Sequence, residues 1–273
     1  MHVFQSFTYE EVQGFKFGYQ PIGKPAMYSH IYFVDGLLID TGHRMVRKKV
    51  SECLQKLPIE QVFITHHHED HSGNIEEVKK LTPKPPVYAS EACCKLMKKP
   101  PKLSFAQKIT WGDRPAQPDL TPRYDSIETP RFSFRMIPIP GHASDMYALY
   151  EPTQKWLFSA DLYINTYIDY FIDNESMTYQ IDSIRRVLQL DFEPMFCGHK
   201  PQLNNGKQKL EQKLQFLEAF FEQVAAEYAQ GYGAEEIFKR LKLKENWPVR
   251  LLSGGKLSKL NMVRAVVQAL EKK

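Results

Sequence analysis

Four of the nine histidines in this chain fall within the six residues 66–71, and three of them are consecutive. The cluster reads His66-His67-His68-Glu69-Asp70-His71 and directly follows residues 59–65, an apolar run with the length of a short buried strand. Side chains alternate along an extended backbone, so His66 and His68 point the same way, whereas Asp70 and His71 lie where the chain turns into a helix. Imidazole and carboxylate ligands together suit zinc, iron or manganese. The cluster therefore favours a metal site over a merely polar helix start.

Length and composition are those of an ordinary globular protein. The chain has 273 residues, of which 42% are hydrophobic and 25% charged, enough for one large domain or a large domain with a small annex. No run of 18 apolar residues or leader-like N-terminus is present, and the four cysteines show no C-x-x-C spacing. We therefore expect a cytoplasmic protein.

Strand-like and helix-like segments alternate over the first 200 residues, as in layered α/β proteins. Residues 29–42 form a predicted hairpin that turns at Asp35-Gly36. The other predicted strands are 59–65, 86–89, 131–138, 147–150, 155–159 and 194–197. The predicted helices are 44–57, 74–80, 91–98, 178–190, 210–230, 234–241 and 257–270.

Residues 100–126 are rich in proline and show no clear periodicity, so an irregular loop is predicted there. Four of its side chains are candidates for a lid over a cleft, and the alternative is an ordered surface loop. They are Trp111, Arg114, Arg123 and Tyr124.

Three further metal-ligand candidates each stand at the end of a predicted strand: His142, Asp161 and His199. Alone, each would be a turn residue or a helix cap. Loops at one edge of a sheet converge on one cleft, so together with the histidine cluster they predict a single site.

These residues and their order resemble the metallo-β-lactamase-fold hydrolase superfamily over roughly residues 25–200. The resemblance is carried by the H-x-H-x-D-H signature, Pro140-Gly-His142, Phe158-x-x-Asp161, Gly198-His199 and the Leu38-Ile-Asp-Thr-Gly42 turn. It implies an αββα four-layer sandwich for residues 1–205, and the helical pattern beyond Gly206 predicts a helical C-terminal extension for residues 206–273. The ligand set is similar to that of glyoxalase II, and the Ala-Ser-Asp that follows His142 resembles a poorly characterised bacterial branch.

The resemblance also implies a dinuclear metal centre. One metal would be held by His66, His68 and His142, the second by Asp70, His71 and His199, with Asp161 between them. Zinc is the expected metal, and iron and manganese are the alternatives. Asp40 would orient a ligand histidine, the alternative being a turn cap. Tyr163 and Tyr167 would line an apolar substrate pocket, the alternative being core packing.

The implied function is a dinuclear metal-dependent hydrolase, in which a hydroxide shared by two metals attacks a small ester, thioester or lactone. Asp70 would pass a proton to the leaving group. Asp161 in place of cysteine argues against a true β-lactamase, and His68 in place of glutamate argues against a flavodiiron oxidoreductase.

Two other functions stay open. A phosphodiesterase or nuclease would use the basic C-terminal region, since residues 200–273 hold 14 basic and 8 acidic side chains. A non-catalytic metal-binding interaction protein is the second alternative. We expect a small-molecule substrate and neither a nucleic-acid nor a membrane partner, and the sequence leaves the oligomeric state open.

Overall fold

The chain builds two main β-sheets, one after the other along the sequence. The computed structural model of the protein describes residues 2–20, 25 and 27–272. Within these residues the first sheet has seven strands, which lie side by side in chain order. They are β1 (His2–Tyr9), β2 (Val12–Tyr19), β3 (Ser29–Val34), β4 (Leu37–Ile39), β5 (Gln61–Ile64), β6 (Val87–Ala89) and β7 (Thr121–Pro122).

The later strands form the second sheet and a small ribbon. They are β8 (Ser126–Glu128), β9 (Ser133–Pro138), β10 (Tyr147–Glu151), β11 (Trp156–Ala160), β12 (Phe171–Ile172), β13 (Met195–Cys197) and β14 (Leu257–Ser258). In the described part of the chain, the second sheet has the order β13-β11-β10-β9-β8, and β12 pairs with β14.

Helices cover the outer faces of both sheets. They are α1 (Arg47–Leu54), α2 (Glu69–Ser72), α3 (Ile75–Val78), α4 (Glu91–Lys98), α5 (Phe105–Trp111), α6 (Met177–Leu188), α7 (Gly206–Tyr228), α8 (Ala234–Arg240), α9 (Trp247–Leu252) and α10 (Lys259–Glu271), with a one-turn 3₁₀ helix at Arg44–Val46. Helices α1, α3 and α4 pack on the first sheet, and α6, α7, α8 and α10 pack with the second.

Strand β3 shows how the layers are separated. Ile31 and Phe33 join the apolar cluster under α1 and α4, whereas Tyr32 and Val34 join the cluster between the sheets, because successive side chains of a strand point to opposite faces. All four of these β3 side chains are buried. The cluster between the sheets is rich in aromatic residues. The predicted αββα four-layer sandwich is confirmed.

The hairpin predicted around Asp35-Gly36 is present as β3 and β4. Asp35 has φ 48° and Gly36 has φ 83°, and two successive positive φ angles are what a two-residue hairpin turn needs. Strands β1 and β2 form a further hairpin, which is not predicted from the sequence. It pairs with β3 at the edge of the first sheet.

The prediction that residues 100–126 are irregular was wrong in part, because they contain α5 and β7. Helix α5 begins with a capping box between Ser104 and Gln107, which satisfies backbone groups of its first turn. None of its side chains is buried. Its apolar residues Phe105 and Ile109 stand four positions apart but are exposed, and seven residues are too few to show a clear helical period.

The helices of residues 206–272 pack against the second sheet. Leu217 of α7 and Val263 of α10 belong to the same apolar cluster as Leu157 of β11 and Ile184 of α6. In the described ranges, no helix combines the length and the apolar character needed to cross a membrane.

Candidate metal centre

The histidine cluster lies where β5 ends and α2 begins. His66 follows the strand by two residues, and His68 has extended backbone angles, φ −60° and ψ 150°, as the residue that precedes α2. Asp70 and His71 lie within the single turn of α2, and both are buried. A short strand–turn–helix connection thus brings four potential ligand side chains to one point.

The other three ligand candidates come from loops that follow strands of the second sheet. His142 follows β9, Asp161 follows β11 directly, and His199 follows β13. Gly141 has φ 140°, and a Cβ there would overlap the backbone of Gln180 in α6, so this loop requires glycine. The three strand ends converge on α2, as predicted from their sequence positions.

His66, His68 and His142 form the first group of ligand atoms, all within 4.8 Å of one another. His142 Nε2 lies 3.1 Å from His68 Nδ1. Burial and the neighbouring imidazoles lower the pKa of both His66 and His68 well below the ordinary histidine value. Both rings are therefore neutral at pH 7, which is the form that binds a metal ion.

Asp70, His71, Asp161 and His199 form the second group, within the same 4.8 Å limit. His199 Nε2 lies 3.3 Å from Asp70 Oδ2 and 3.1 Å from Asp161 Oδ2. Asp161 Oδ2 also lies 3.4 Å from His142 Nε2 of the first group. Asp161 is thus a carboxylate that contacts both groups.

The second group differs in its protonation from His66 and His68. Burial lowers the pKa of His199, but the carboxylates of Asp161 and Asp70 outweigh it and raise that pKa to about 9. Burial also opposes ionisation of Asp161, yet His199 and His71 hold its pKa well below the usual range. In the metal-free protein, protonated imidazoles therefore balance the carboxylates, and a cation that binds here displaces those protons.

Three buried ligand atoms have no well-aligned hydrogen bond among the described residues: His66 Nε2, His71 Nε2 and Asp161 Oδ1, of which the last two form an ion pair at 3.3 Å. A buried polar atom without a hydrogen bond, such as His66 Nε2, is rare in proteins and calls for an unseen partner. Gly198 lies against the same atoms, where a Cβ would overlap Asp161 Oδ1 and the His71 ring. The donor set of five imidazoles and two carboxylates fits two divalent cations.

Asp40 contacts the ligand His71 and the neighbouring Thr65. One carboxylate oxygen accepts the backbone N–H of Thr65 at 2.8 Å, and the other lies 2.9 Å from Thr65 Oγ1 and 2.7 Å from His71 Nδ1. Since the carboxylate accepts the Nδ1 proton, His71 presents Nε2 to the site. His199 is fixed likewise, because its Nδ1 lies 2.7 Å from the carbonyl oxygen of Tyr28.

Glu175 plays the same part for His142, and the sequence pattern did not reveal it. Its Oε1 lies 3.3 Å from His142 Nδ1 and accepts the backbone N–H of Ile172 at 3.0 Å. Glu175 stands in the loop before α6 with no motif around it, so no local signal in the sequence pointed to it.

The buried pair of Asp145 and His67 links the loop after β9 to the connection after β5. Asp145 accepts the backbone N–H of His67 at 2.8 Å and pairs with His67 Nδ1 at 2.8 Å. Arg114 donates to the His67 carbonyl oxygen at 2.8 Å and lies 3.6 Å from Glu69. The side chains of His67 and Glu69 thus face the packing around the site.

The lid and pocket candidates are placed differently from one another. Trp111 lies with its ring centroid 5.0 Å from that of His43 and 6.4 Å from that of His199, so it reaches the metal centre. Arg123 instead stacks on Tyr88, and Tyr124 is exposed. Arg114 is buried.

Tyr163 is buried in the core, where its hydroxyl lies 3.0 Å from Thr166 Oγ1. Tyr167 is 68% exposed, and its ring meets Phe216 of α7 edge to face. A substrate role for these two tyrosines stays a prediction.

A family model described as the metallo-β-lactamase superfamily matches residues 25–199, more than half of the chain. The chain belongs to the metallo-β-lactamase superfamily. Among its relatives, a hydroxyacylglutathione hydrolase from Hamiltonella defensa subsp. Acyrthosiphon pisum is 25% identical over 172 residues, which are 63% of this chain and 60% of that protein. The chain thus spans less than two thirds of the hydroxyacylglutathione hydrolases that it matches.

Solved structures of this superfamily share the fold. A metallo-β-lactamase from Pontibacter korlensis aligns with a TM-score of 0.61 at 21% identity and covers 79% of this chain and 99% of its own. A metallo-β-lactamase family protein from Thermus thermophilus aligns with a TM-score of 0.67 at 18% identity, covering 96% of this chain and 93% of its own. The second alignment takes in most of the C-terminal helices as well as the sandwich.

Proposed function

We propose that this chain is a dinuclear metal-dependent hydrolase that cleaves a small ester, thioester or lactone. The observation that carries the proposal is the position of Asp161, whose Oδ2 lies 3.4 Å from His142 Nε2 and 3.1 Å from His199 Nε2. One carboxylate in contact with both ligand groups is suited to lie between two neighbouring cations.

His66, His68 and His142 would hold the first cation, and Asp70, His71 and His199 the second, with Asp161 shared. Zinc suits this set of nitrogen and oxygen donors, as do iron and manganese. When bound, the two cations supply a hydroxide at neutral pH and polarise the carbonyl group of the substrate.

The chain's own residues orient the ligands and move the proton. Asp40 and Glu175 fix the rings of His71 and His142 by accepting their Nδ1 protons. Asp70 is the carboxylate that we expect to carry a proton to the leaving group, because its Oδ2 lies beside the second group, 3.3 Å from His199 Nε2 and 3.8 Å from His71 Nε2. Trp111 shields His199 on the side of α5.

An acyl substrate is supported by the relatives. Several of them are named hydroxyacylglutathione hydrolase, a name that describes cleavage of an acylated thiol. The shared position of the centre holds Asp161 and not the cysteine expected of a true β-lactamase, which also favours an acyl substrate other than a β-lactam. We therefore place thioesters first among the three acyl classes.

The proposal is tested by metal analysis of gently purified protein, followed by a substrate panel on the same sample. We expect about two metal ions per chain, hydrolysis of an acyl thioester, and loss of that activity with a chelator and its return with Zn²⁺. If bis(p-nitrophenyl) phosphate is hydrolysed faster than the acyl thioester, the phosphodiesterase alternative is favoured. A metal-loaded protein inert towards every acyl and phosphoryl substrate would favour a binding function.

A further inference from the structure

Lys213 of α7 is only 1% exposed and is among the largest fully buried side chains of the described residues. Its ammonium group donates a hydrogen bond of 2.6 Å to the carbonyl oxygen of Leu162, the residue directly after Asp161. Burial lowers the pKa of Lys213 to about 8, while the carboxylates of Glu175 and Asp161 raise it. The group is therefore mainly protonated at pH 7 and keeps its charge within reach of both carboxylates.

Burying an ammonium group is costly even with one hydrogen bond, and an apolar side chain of similar size often stabilises a fold as much or more. The proposed hydrolase chemistry assigns it no part. Its hydrogen bond goes to the backbone next to the ligand that contacts both metal groups.

Two other side chains of the C-terminal region hold carbonyl groups of the same segment, residues 162–172. Lys259 Nζ donates to the Ile168 oxygen at 2.8 Å, and Asn261 Nδ2 donates to the Phe171 oxygen at 3.2 Å. Strand β14 also pairs with β12 at the end of this segment. The segment is thus held at its start, middle and end by residues that follow position 205.

The two ends of residues 162–172 both lead to the metal centre. Asp161 precedes the segment, and Glu175, which holds His142, follows it by three residues. Glu175 Oε1 also accepts the backbone N–H of Ile172, the last residue of the segment. A shift of this segment would therefore move the shared carboxylate and the partner of a first-group histidine together.

We propose that Lys213 is a positioning residue of the metal centre, which fixes the backbone after Asp161 and thereby holds that carboxylate between the two ligand groups. The C-terminal helices would then be a part of the site rather than an appendage. The inference rests on the proposed function only in that the seven ligands bind two cations.

The test compares Lys213→Met with Lys207→Met in the full-length chain. Lys207 also lies on α7 and donates to a backbone carbonyl, that of Leu190 at 2.9 Å, in a connection that carries no ligand. Each metal-free protein is titrated with Co²⁺ and followed by its visible absorption, and circular dichroism reports the folded fraction.

We expect Lys213→Met, while folded, to bind the second Co²⁺ roughly ten- to a hundredfold more weakly and to show an altered absorption band. Lys207→Met should match the wild type in both. Wild-type affinities and band shape in folded Lys213→Met would overturn the inference.

If Lys213→Met does not fold, Lys259→Met tests the same segment, because Lys259 donates to the carbonyl oxygen of Ile168. The Lys259 side chain is partly exposed, so its loss should be better tolerated. A weaker second Co²⁺ supports the inference, and unchanged binding overturns it. The wild-type stoichiometry separately reports on the proposed function: one Co²⁺ per chain would contradict the dinuclear centre, and the Lys213 effect would then be read on that single ion.

Discussion

Asp40 and Ala160 both have backbone angles in the left-handed region, with φ 61° and 45°. Such angles are unfavourable for residues other than glycine, at a cost on the order of 1–3 kcal/mol each. At Asp40 the conformation aims the carboxylate at Thr65 and His71, and at Ala160 it turns β11 so that Asp161 enters the site. The strain thus lies at the residues that place the ligands.

Asp40→Asn should weaken metal binding. The amide has nearly the shape of the carboxylate and tolerates a positive φ, but it removes the charge that favours a His71 Nδ1–H donor. We expect the affinity for the second cation to fall by roughly 10- to 100-fold, measured by competition with a coloured chelator.

Asp35→Asn is the matched control, because Asp35 occupies a left-handed turn of the same hairpin but pairs with Arg131 on the surface. Its metal affinity should equal that of the wild type. Equal losses in the two variants would show that the Asp40 effect comes from the hairpin and not from His71.

Helix α5 is attached to the molecule more loosely than the other elements around the site. It has no buried side chain, and its contacts are made near its two ends, by Gln107 with Glu69 and by Trp111 with His43 and His199. Elements with few buried apolar contacts open at low free-energy cost. We therefore interpret α5 as the movable side of the site and Trp111 as its contact with bound substrate.

Trp111→Ala should raise KM about tenfold for the best acyl substrate, equivalent to about 1.4 kcal/mol of binding. The value of kcat should change much less, because Trp111 holds no ligand and carries no proton. Steady-state kinetics at constant metal content measure both parameters.

Phe105→Ala removes another aromatic ring of α5, one that is 79% exposed, and should leave KM unchanged. A proportional fall in kcat with unchanged KM in Trp111→Ala would mean that the ring acts on the ligands rather than on the substrate.

At the scale of the whole molecule, the second sheet and the C-terminal helices share one apolar cluster. It includes Leu157 of the sheet, Ile184 of α6 and Leu217 of α7. Elements that share a core usually unfold in one cooperative step. The expected division at residues 205 and 206 therefore marks a change of element type along the chain, and we predict that it does not mark an independent folding unit.

Leu217→Ala should destabilise the whole protein by about 2–5 kcal/mol, since it opens a cavity in this shared core. The fluorescence of Trp156, which is buried between the two sheets, should report the lowered urea midpoint although the substitution lies in α7.

Leu251→Ala in α9 is the control, because this leucine is 73% exposed and its loss should cost no more than about 0.5 kcal/mol. A Trp156 transition that does not move in Leu217→Ala, while the helical signal melts earlier, would show that residues 206–272 fold separately.

Much of the fold and of the candidate site follows from local patterns. The hairpin at Asp35-Gly36 is set by turn chemistry, and the strands with both faces buried are indicated by continuous apolar runs, and both signals act within a few residues. The cluster at residues 66–71 carries four ligand candidates within six residues. Helix α5 escaped prediction because it has only seven residues and no buried apolar face.

The sequence by itself determined which side chains are available for metal binding and which strand ends carry them, because ligand type and spacing are local properties of the chain. Only the tertiary structure decided what holds those ligands. Glu175 faces His142, Asp145 faces His67 and Lys213 holds the backbone after Asp161 across long sequence separations. Such contacts arise when separate layers pack, and no pattern within one segment records them.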